Sequence, residues 1–228
     1  MISYSRVSTY IQCPKKYKLR YVDKLKTFFD CQATNPLTIG NLLHRTVEKG
    51  FVKARQEYLD EYPVITEALV DELEKARVLG RKVRKAVPKG EFERKILIGG
   101  FIGFIDLLVE TSPGVYDLYD FKYSNNKDRY LESPQLSVYK YFFAKQTGFA
   151  VDRLFYVMCP KTQIRQKKTE DLYHFRERLT SQLESMEPEV CEVEFSQEAI
   201  TNFLASAVEM LTAHEFLAWE RPLCHCRE

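Results

Sequence analysis

Asp106, Asp120 and Lys122 stand in a stretch otherwise suited to burial, GGFIGFIDLLVETSPGVYDLYDFKY from Gly99 to Tyr123. Carboxylates in such surroundings are costly unless paired or bound to a cation. Asp120 and Lys122 are two residues apart, so in a strand they share one face and Phe121 points to the other. If the chain folds back at Ser112-Pro113-Gly114, Asp106 comes close to that pair. Two carboxylates and an ammonium on one face suit a hard divalent metal and a phosphate.

The elements that must hold these residues are legible on either side. Phe101 to Val109 and Val115 to Tyr123 are dense in β-branched, aromatic and aliphatic residues and read as two strands of a hairpin. Glu91 to Ile98 reads as a strand leading into it, with Glu93 either facing solvent or adding a further acidic group near the site. Ser124 to Glu132 is polar and loop-like. Ser133-Pro134 then starts a helix that continues to about Thr147 and ends at Gly148, with Leu136, Tyr139, Tyr141 and Phe142 for packing. Gln135 and Tyr139 share a face of it, one turn apart. Arg153 to Cys159 reads as another strand, which the helix from Pro134 can carry into the same sheet. The result expected is an α/β fold, a mixed central sheet of antiparallel meander plus crossover strand, flanked by helices.

Upstream, residues 1–26 read as helix, capped by Ser5 and interrupted at Pro14. This segment is basic, and Arg6, Lys15 and Lys16 are either a solvated helix face or a phosphate-contacting surface. Residues 27–36 look like loop. Thr38 is expected to cap one long helix from Ile39 to about Leu59, with Leu42, Leu43, Val47, Phe51 and Val52 as its buried stripe. His44 lies beside that stripe, with Glu48 a turn later, and reads either as a satisfied structural histidine or as a ligand. A third helix spans about Thr66 to Ala86. Its basic end is favoured by the helix macrodipole without any ligand.

Downstream, 161–168 is basic, Asp171 to Met186 is weakly helical, and Glu192 to Phe195 is a short strand. Ser196 caps a last helix from Gln197 to about Trp219, with Ile200, Phe203, Leu204, Val208 and Leu211 at helical spacing.

The 228 residues read as a single domain, 1–228, with an N-terminal helical segment, 1–90, and a C-terminal peripheral helical region, 165–228. A formal net charge of +2 leaves any nucleic-acid contact to local patches such as 15–26, 77–95 and 161–168. No apolar run reaches membrane-spanning length and the N-terminus has no signal-peptide pattern, so no membrane partner and a cytoplasmic location are expected. The six cysteines are widely scattered, which points to free thiols or metal ligands rather than disulfides.

Five motifs in order resemble the PD-(D/E)XK nuclease superfamily, in its RecB-like branch with the AddB-type and CRISPR-associated exonucleases. Ser5 to Tyr21, S-x7-C-P-x2-Y-x3-Y, is similar to that branch's N-terminal helix. Gly40-x3-His44-x3-Glu48 is similar to its histidine motif, and Gly103-x2-Asp106 to the motif of the first carboxylate. Asp120-Phe121-Lys122 resembles the D/E-x-K element and Gln135-x3-Tyr139 the Q-x3-Y motif.

The resemblance implies a restriction-endonuclease-like core. It implies His44, Asp106, Asp120 and the backbone carbonyl of Phe121 as ligands of Mg2+ or Mn2+. Lys122 is implied to orient the attacking water and stabilise developing charge, and Gln135 and Tyr139 to position the substrate backbone or the lysine. Several relatives hold a four-iron, four-sulfur cluster on one N-terminal and three C-terminal cysteines. Cys13 matches the first position, but only Cys224 and Cys226 stand at the C-terminal end and the closing C-x2-C spacing is absent.

The function so implied is metal-dependent phosphodiester hydrolysis of DNA by an exonuclease, in recombination, repair or mobile-element DNA processing. A recombination or helicase protein is a possible partner. Two alternatives stand beside it: a non-catalytic nucleic-acid-binding module on the same fold, and a nuclease subunit that needs another chain to load its substrate.

Overall fold

A computed structural model of the protein describes residues 1–26 and 35–216. Its centre is a five-stranded sheet in the order β1-β2-β3-β4-β5. The strands are β1 (Glu91–Ile98), β2 (Phe101–Ser112), β3 (Val115–Tyr123), β4 (Ala150–Cys159) and β5 (Glu189–Val193). The pairs β1–β2, β2–β3 and β4–β5 are antiparallel, and β3–β4 is parallel. The parallel pair requires a crossover, which α7 (Gln135–Thr147) supplies. Gly148, at φ 75°, ends that helix in the left-handed conformation that glycine adopts without strain.

Among the described residues, three helices cover each face of the sheet. On one face, α1 (Tyr4–Gln12), α7 and α9 (Gln197–Phe216) pack on Ile96, Phe101, Ile105, Leu118, Tyr156 and Met158. On the other, α3 (Pro36–Lys49), α5 (Glu67–Ala86) and α8 (Leu172–Ser185) pack on Leu107, Val109, Tyr119, Phe121, Phe155 and Val157. The period of two along β3 and β4 sorts their residues between these two cores. A third apolar cluster joins α3, α4 (Phe51–Glu61) and α5 through Leu42, Ala54, Tyr58 and Leu73. The short elements α2 (Pro14–Tyr17) and α6 (Asp128–Leu131) lie at the ends of α1 and β3, and a π-helical turn, Lys18–Val22, follows α2.

Several local expectations are corrected. The first helix is capped by Ser3, whose Oγ accepts the Arg6 N–H at 3.3 Å, not by Ser5. The chain between 36 and 61 forms two helices, because Gly50 at φ 84° and ψ 154° leaves helical geometry. Asn35, not Thr38, caps the first of them through Leu37 N. Val52, expected in the buried stripe, is 84% exposed beyond that break. A turn of helix, α6, replaces part of the expected loop before Ser133. In α7 the deeply buried residues include Val138 and Phe143, while Tyr141 is only partly covered. The last strand spans Glu189–Val193 rather than Glu192–Phe195. In α9, Ala207 and Met210 are buried where Val208 and Leu211 were expected. Trp219, Cys224 and Cys226 fall outside the described residues.

Among the described residues no helix is long and apolar enough to cross a membrane.

Candidate metal centre

The centre lies where two neighbouring strands part. Ladder pairing of β2 with β3 runs from Ser112–Val115 to Leu107–Tyr119. Just beyond it, one residue along β2 and two along β3, the Phe121 N–H donates to the Asp106 carboxylate, Oδ2, at 2.6 Å. The far end of β2 is met by the N-terminal segment: Ile2 N–H donates to Gly100 O, and Ile2 O accepts from Ile102 N–H, both at 2.8 Å. The start of α1 is thereby tied beside β2, close to the cleft.

The alternation of β2 changes phase at Asp106. Phe101 and Ile105 face the α1–α7–α9 core, whereas Leu107 and Val109 face the α3–α5–α8 core. By the β1–β2 register, Glu93 lies opposite Asp106, and Glu93 has φ 53°. A left-handed glutamate is strained, and irregularities of this kind collect at functional sites. Asp106 therefore stands between the two faces and can be reached from both.

From the α3 side comes His44, whose Nδ1 lies 3.5 Å from Asp106 Oδ1. Its ring meets Phe121 edge-on at 5.8 Å between centroids. His44, Glu93 and Asp106 each offer a ligand atom, all within 4.8 Å of one another. Glu93 thus joins the site.

From the α7 side comes a separate network. Gln135 Nε2 donates to Asp120 Oδ1 at 2.9 Å, and Lys122 Nζ donates to Gln135 Oε1 at 3.1 Å. Lys122 Nζ and Asp120 Oδ2 form an ion pair at 2.5 Å. That oxygen is buried and makes no well-directed hydrogen bond to any described residue, so it retains capacity for another cation. The Lys122 ammonium also lies 5.5 Å and 5.7 Å from the rings of Tyr130 and Tyr156. Tyr139 packs on Gly103, where a Cβ would stand 3.1 Å from both Tyr139 and Phe101. Glycine at that position is what lets the tyrosine approach the sheet.

The two groups are electrostatically linked. Burial opposes protonation of His44, but the Asp106 carboxylate outweighs it and holds the imidazole pKa above its usual value. Burial opposes ionisation of Asp106, yet His44, Lys122 and the Phe121 N–H bring its pKa below the ordinary range. Asp120 is pushed up to about 6 by burial and by the charge of Asp106, against the pull of Lys122. Burial also disfavours the Lys122 ammonium, but Asp120 and Asp106 together keep its pKa above the usual lysine value. Burial and then Asp106 raise the Glu93 pKa. A cluster that holds one carboxylate reluctant to ionise beside others is a good receptor for a divalent cation.

The remaining candidates lie elsewhere or serve the fold. Lys15 and Lys16 are exposed on α2. The Arg6 guanidinium donates to Met1 O at 2.7 Å and lies over the Tyr21 ring. Cys13 is buried, and its Sγ accepts the Lys16 N–H at 3.3 Å as the cap of α2. Cys159 and Cys191 are also buried and free.

Several cations of the basic stretch 77–95 form ion pairs within the protein: Arg77 with Glu74, Arg81 with Glu184, Lys82 with Glu187 and Arg94 with Glu91. Arg84 caps the end of α3 by donating to Val47 O and Glu48 O. Asp117, a further carboxylate within the hairpin, is 1% exposed and structural. It sits at a bulge in the β3–β4 ladder and accepts from Arg153 N at 3.2 Å and Arg153 Nη2 at 2.6 Å.

A mixed sheet between helices, with paired carboxylates and a lysine at the parting of two strands, defines the restriction-endonuclease-like class. A family model described as the PD-(D/E)XK nuclease superfamily matches residues 1–227, and the chain belongs to that superfamily. A comparison with curated proteins found no match.

Proposed function

We propose that this protein is a divalent-metal-dependent deoxyribonuclease of the RecB-like branch, acting as an exonuclease in recombination, repair or mobile-element DNA processing. The observation that carries the reading is the convergence of Asp106, Asp120, Lys122 and Gln135 beside His44 where β2 leaves β3.

His44, Asp106, Asp120 and the Phe121 carbonyl would hold the ion, with Glu93 as a further carboxylate. Oxygen donors suit magnesium, and the imidazole also admits manganese. Such an ion supplies an acidified water and Lewis-acid polarisation of the phosphoryl group.

The protein's own groups do the rest. Lys122 stays protonated at neutral pH, so it acts as a cation and hydrogen-bond donor toward developing phosphoryl charge rather than as a base. Gln135 grips Lys122 and Asp120 at once and fixes their separation. Tyr139, packed on Gly103 and Phe101 one turn along α7, backs that glutamine.

The test is incubation with end-labelled linear and circular DNA, single- and double-stranded, in EDTA, magnesium or manganese, beside Lys122→Ala. Metal-dependent cleavage lost in the variant supports the reading, and sparing of circles supports an exonuclease. No cleavage by a folded protein that still binds the ion moves the reading to a nuclease subunit that needs another chain, and loss of ion binding as well overturns it.

A further inference from the structure

The Lys122 ammonium is enclosed by more than the two groups that pair with it. It donates to Gln135 Oε1 at 3.1 Å and forms its ion pair with Asp120 Oδ2 at 2.5 Å. Two aromatic rings stand against the same ammonium, Tyr130 at 5.5 Å and Tyr156 at 5.7 Å from their centroids. The rings lie 6.2 Å from each other and are inclined by 55°. These three distances close a nearly equilateral triangle, a wedge of two rings with the cation in its opening.

The wedge is assembled from separate elements. Tyr156 is the ladder partner of Asp120 in the parallel β3–β4 pair and belongs to the core beneath α7. Tyr130 comes from α6, in the connection between β3 and α7. Tyr156 is fully buried and Tyr130 half-buried, while the Lys122 side chain keeps 17% of its surface exposed.

The ring faces make this contact. No hydrogen bond joins the ammonium to either tyrosine hydroxyl, and the Tyr156 hydroxyl has no well-directed partner among the described residues. A π-face attracts a cation most strongly where water is excluded. That attraction consumes no N–H. A lysine ammonium has three donors on a flexible stem, and Asp120 and Gln135 occupy two at most. The rings can therefore hold the charge in place while a donor stays free for developing phosphoryl charge.

We propose that Tyr130 and Tyr156 are positioning residues that hold the Lys122 ammonium by cation–π contact and aim it at the reacting phosphoryl group. The proposal rests on the nuclease reading for what Lys122 then does, but the hold itself is measurable without cleavage.

The experiment uses the full chain, Tyr130→Phe, Tyr130→Leu, Tyr156→Phe and Tyr156→Leu, each checked for folding by thermal melting. Phenylalanines carrying one, two or three ring fluorines are also placed at position 130, because they drain charge from the ring face in steps and hardly change its shape. In EDTA, NMR of isotope-labelled lysine reads the ε-methylene resonance of Lys122, assigned by its loss in Lys122→Arg. Ring currents should displace it upfield. The displacement should persist in the phenylalanine variants and shrink in the leucine variants. With metal and end-labelled DNA, the phenylalanine variants should keep wild-type kcat. The leucine variants should lose about tenfold in kcat at nearly constant KM, the scale of one desolvated cation–π contact. Each added fluorine should lower kcat further. Tyr156 lies in the core, so if Tyr156→Leu does not fold, the position 130 series still decides.

An undisplaced Lys122 resonance in the wild type, or one unmoved in folded Tyr130→Leu, overturns the proposal whatever the cleavage assay shows. A kcat indifferent to fluorination overturns it too and leaves Tyr130 a steric wall. A displaced, ring-dependent resonance in a protein that neither binds the ion nor cleaves overturns the nuclease reading and leaves the cation–π hold standing.

Discussion

Asp106 accepts the backbone N–H of Phe121 at 2.6 Å across the point where their strands cease to pair. A side chain thus takes over from a backbone carbonyl, and one carboxylate serves both the fold and the site. Its other oxygen is turned toward His44.

That double duty can be separated by substitution. Asp106→Asn keeps an acceptor for Phe121 N–H and removes the charge, so stability should change little. Asp106→Ala leaves a buried N–H unsatisfied and should lose roughly 1–3 kcal/mol. Both should abolish cleavage. In both, the His44 pKa should fall, since burial then acts without the carboxylate that opposed it. Urea melts and an NMR titration of His44 check this. Equal stability losses in the two variants would refute the dual role.

Gln135 should behave as a positioning residue. Its amide bonds Asp120 and Lys122 together, so Gln135→Ala frees both without removing either charge. Loss of a partner of this kind typically costs 10–100-fold, and kcat is expected to fall by about that amount with KM nearly constant. Gln135→Glu should do worse, because it sets a second carboxylate against Asp120. A change confined to KM would place Gln135 on the substrate instead.

The sheet and the site were legible to different degrees. β1, β3 and the start of β2 announce themselves by composition, and Ser112-Pro113-Gly114 marks their turn. Asp106, Asp120 and Lys122 stand out because charge is rare in such strands. Glu93 remained ambiguous in the sequence, since its place depends on a left-handed backbone and a phase change in β2 that disturb the period of two. Asp117 looks like its neighbours in sequence, and only the Arg153 contact marks it as structural. The basic end of α5 shows the same limit: Arg81 and Lys82 are satisfied by α8 and the segment after it, more than a hundred residues away. Helical periodicity carried through Gly50 because the apolar stripe resumes beyond it.

Protons and metal should compete. Asp120 titrates at about 6 and His44 above its usual value, and both must lose a proton to become ligands. Manganese affinity is therefore expected to fall steeply as pH drops from 8 to 5.5. The metal-free protein should show the opposite trend. A folded pKa above the unfolded one gives stability that is present at low pH and is lost as pH rises through the folded value. For Asp120 that window runs from about 4 to 6, and for His44 it begins near 6.5 and extends upward. In EDTA the Tm should thus gain from these groups on acidification from pH 8 toward 6, while the Tm increment from saturating manganese shrinks. Calorimetry at both pH values with and without the ion measures this. An increment independent of pH would show that neither group binds the metal.

The position of α3, and with it His44, depends on a close helix crossing. A Cβ at Gly80 of α5 would stand 2.5 Å from Thr46 Cγ2. Thr46 is 4% exposed, and its Oγ1 donates to Leu42 O at 2.8 Å, so its rotamer is fixed. Helix propensity alone favours Gly80→Ala by about 1 kcal/mol. Overpacking a filled interface costs typically 1–3 kcal/mol and should win, because the contact is with a branched, anchored side chain. Gly80→Ala is therefore expected to be less stable and less active, since α3 must shift and carry His44 with it. Thr46→Ser deletes the offending methyl and keeps the hydroxyl. Combined with Gly80→Ala it should restore stability and activity together. A destabilised double variant would mean that the crossing is limited by backbone rather than by Thr46, and a fully active Gly80→Ala would uncouple α3 from the site.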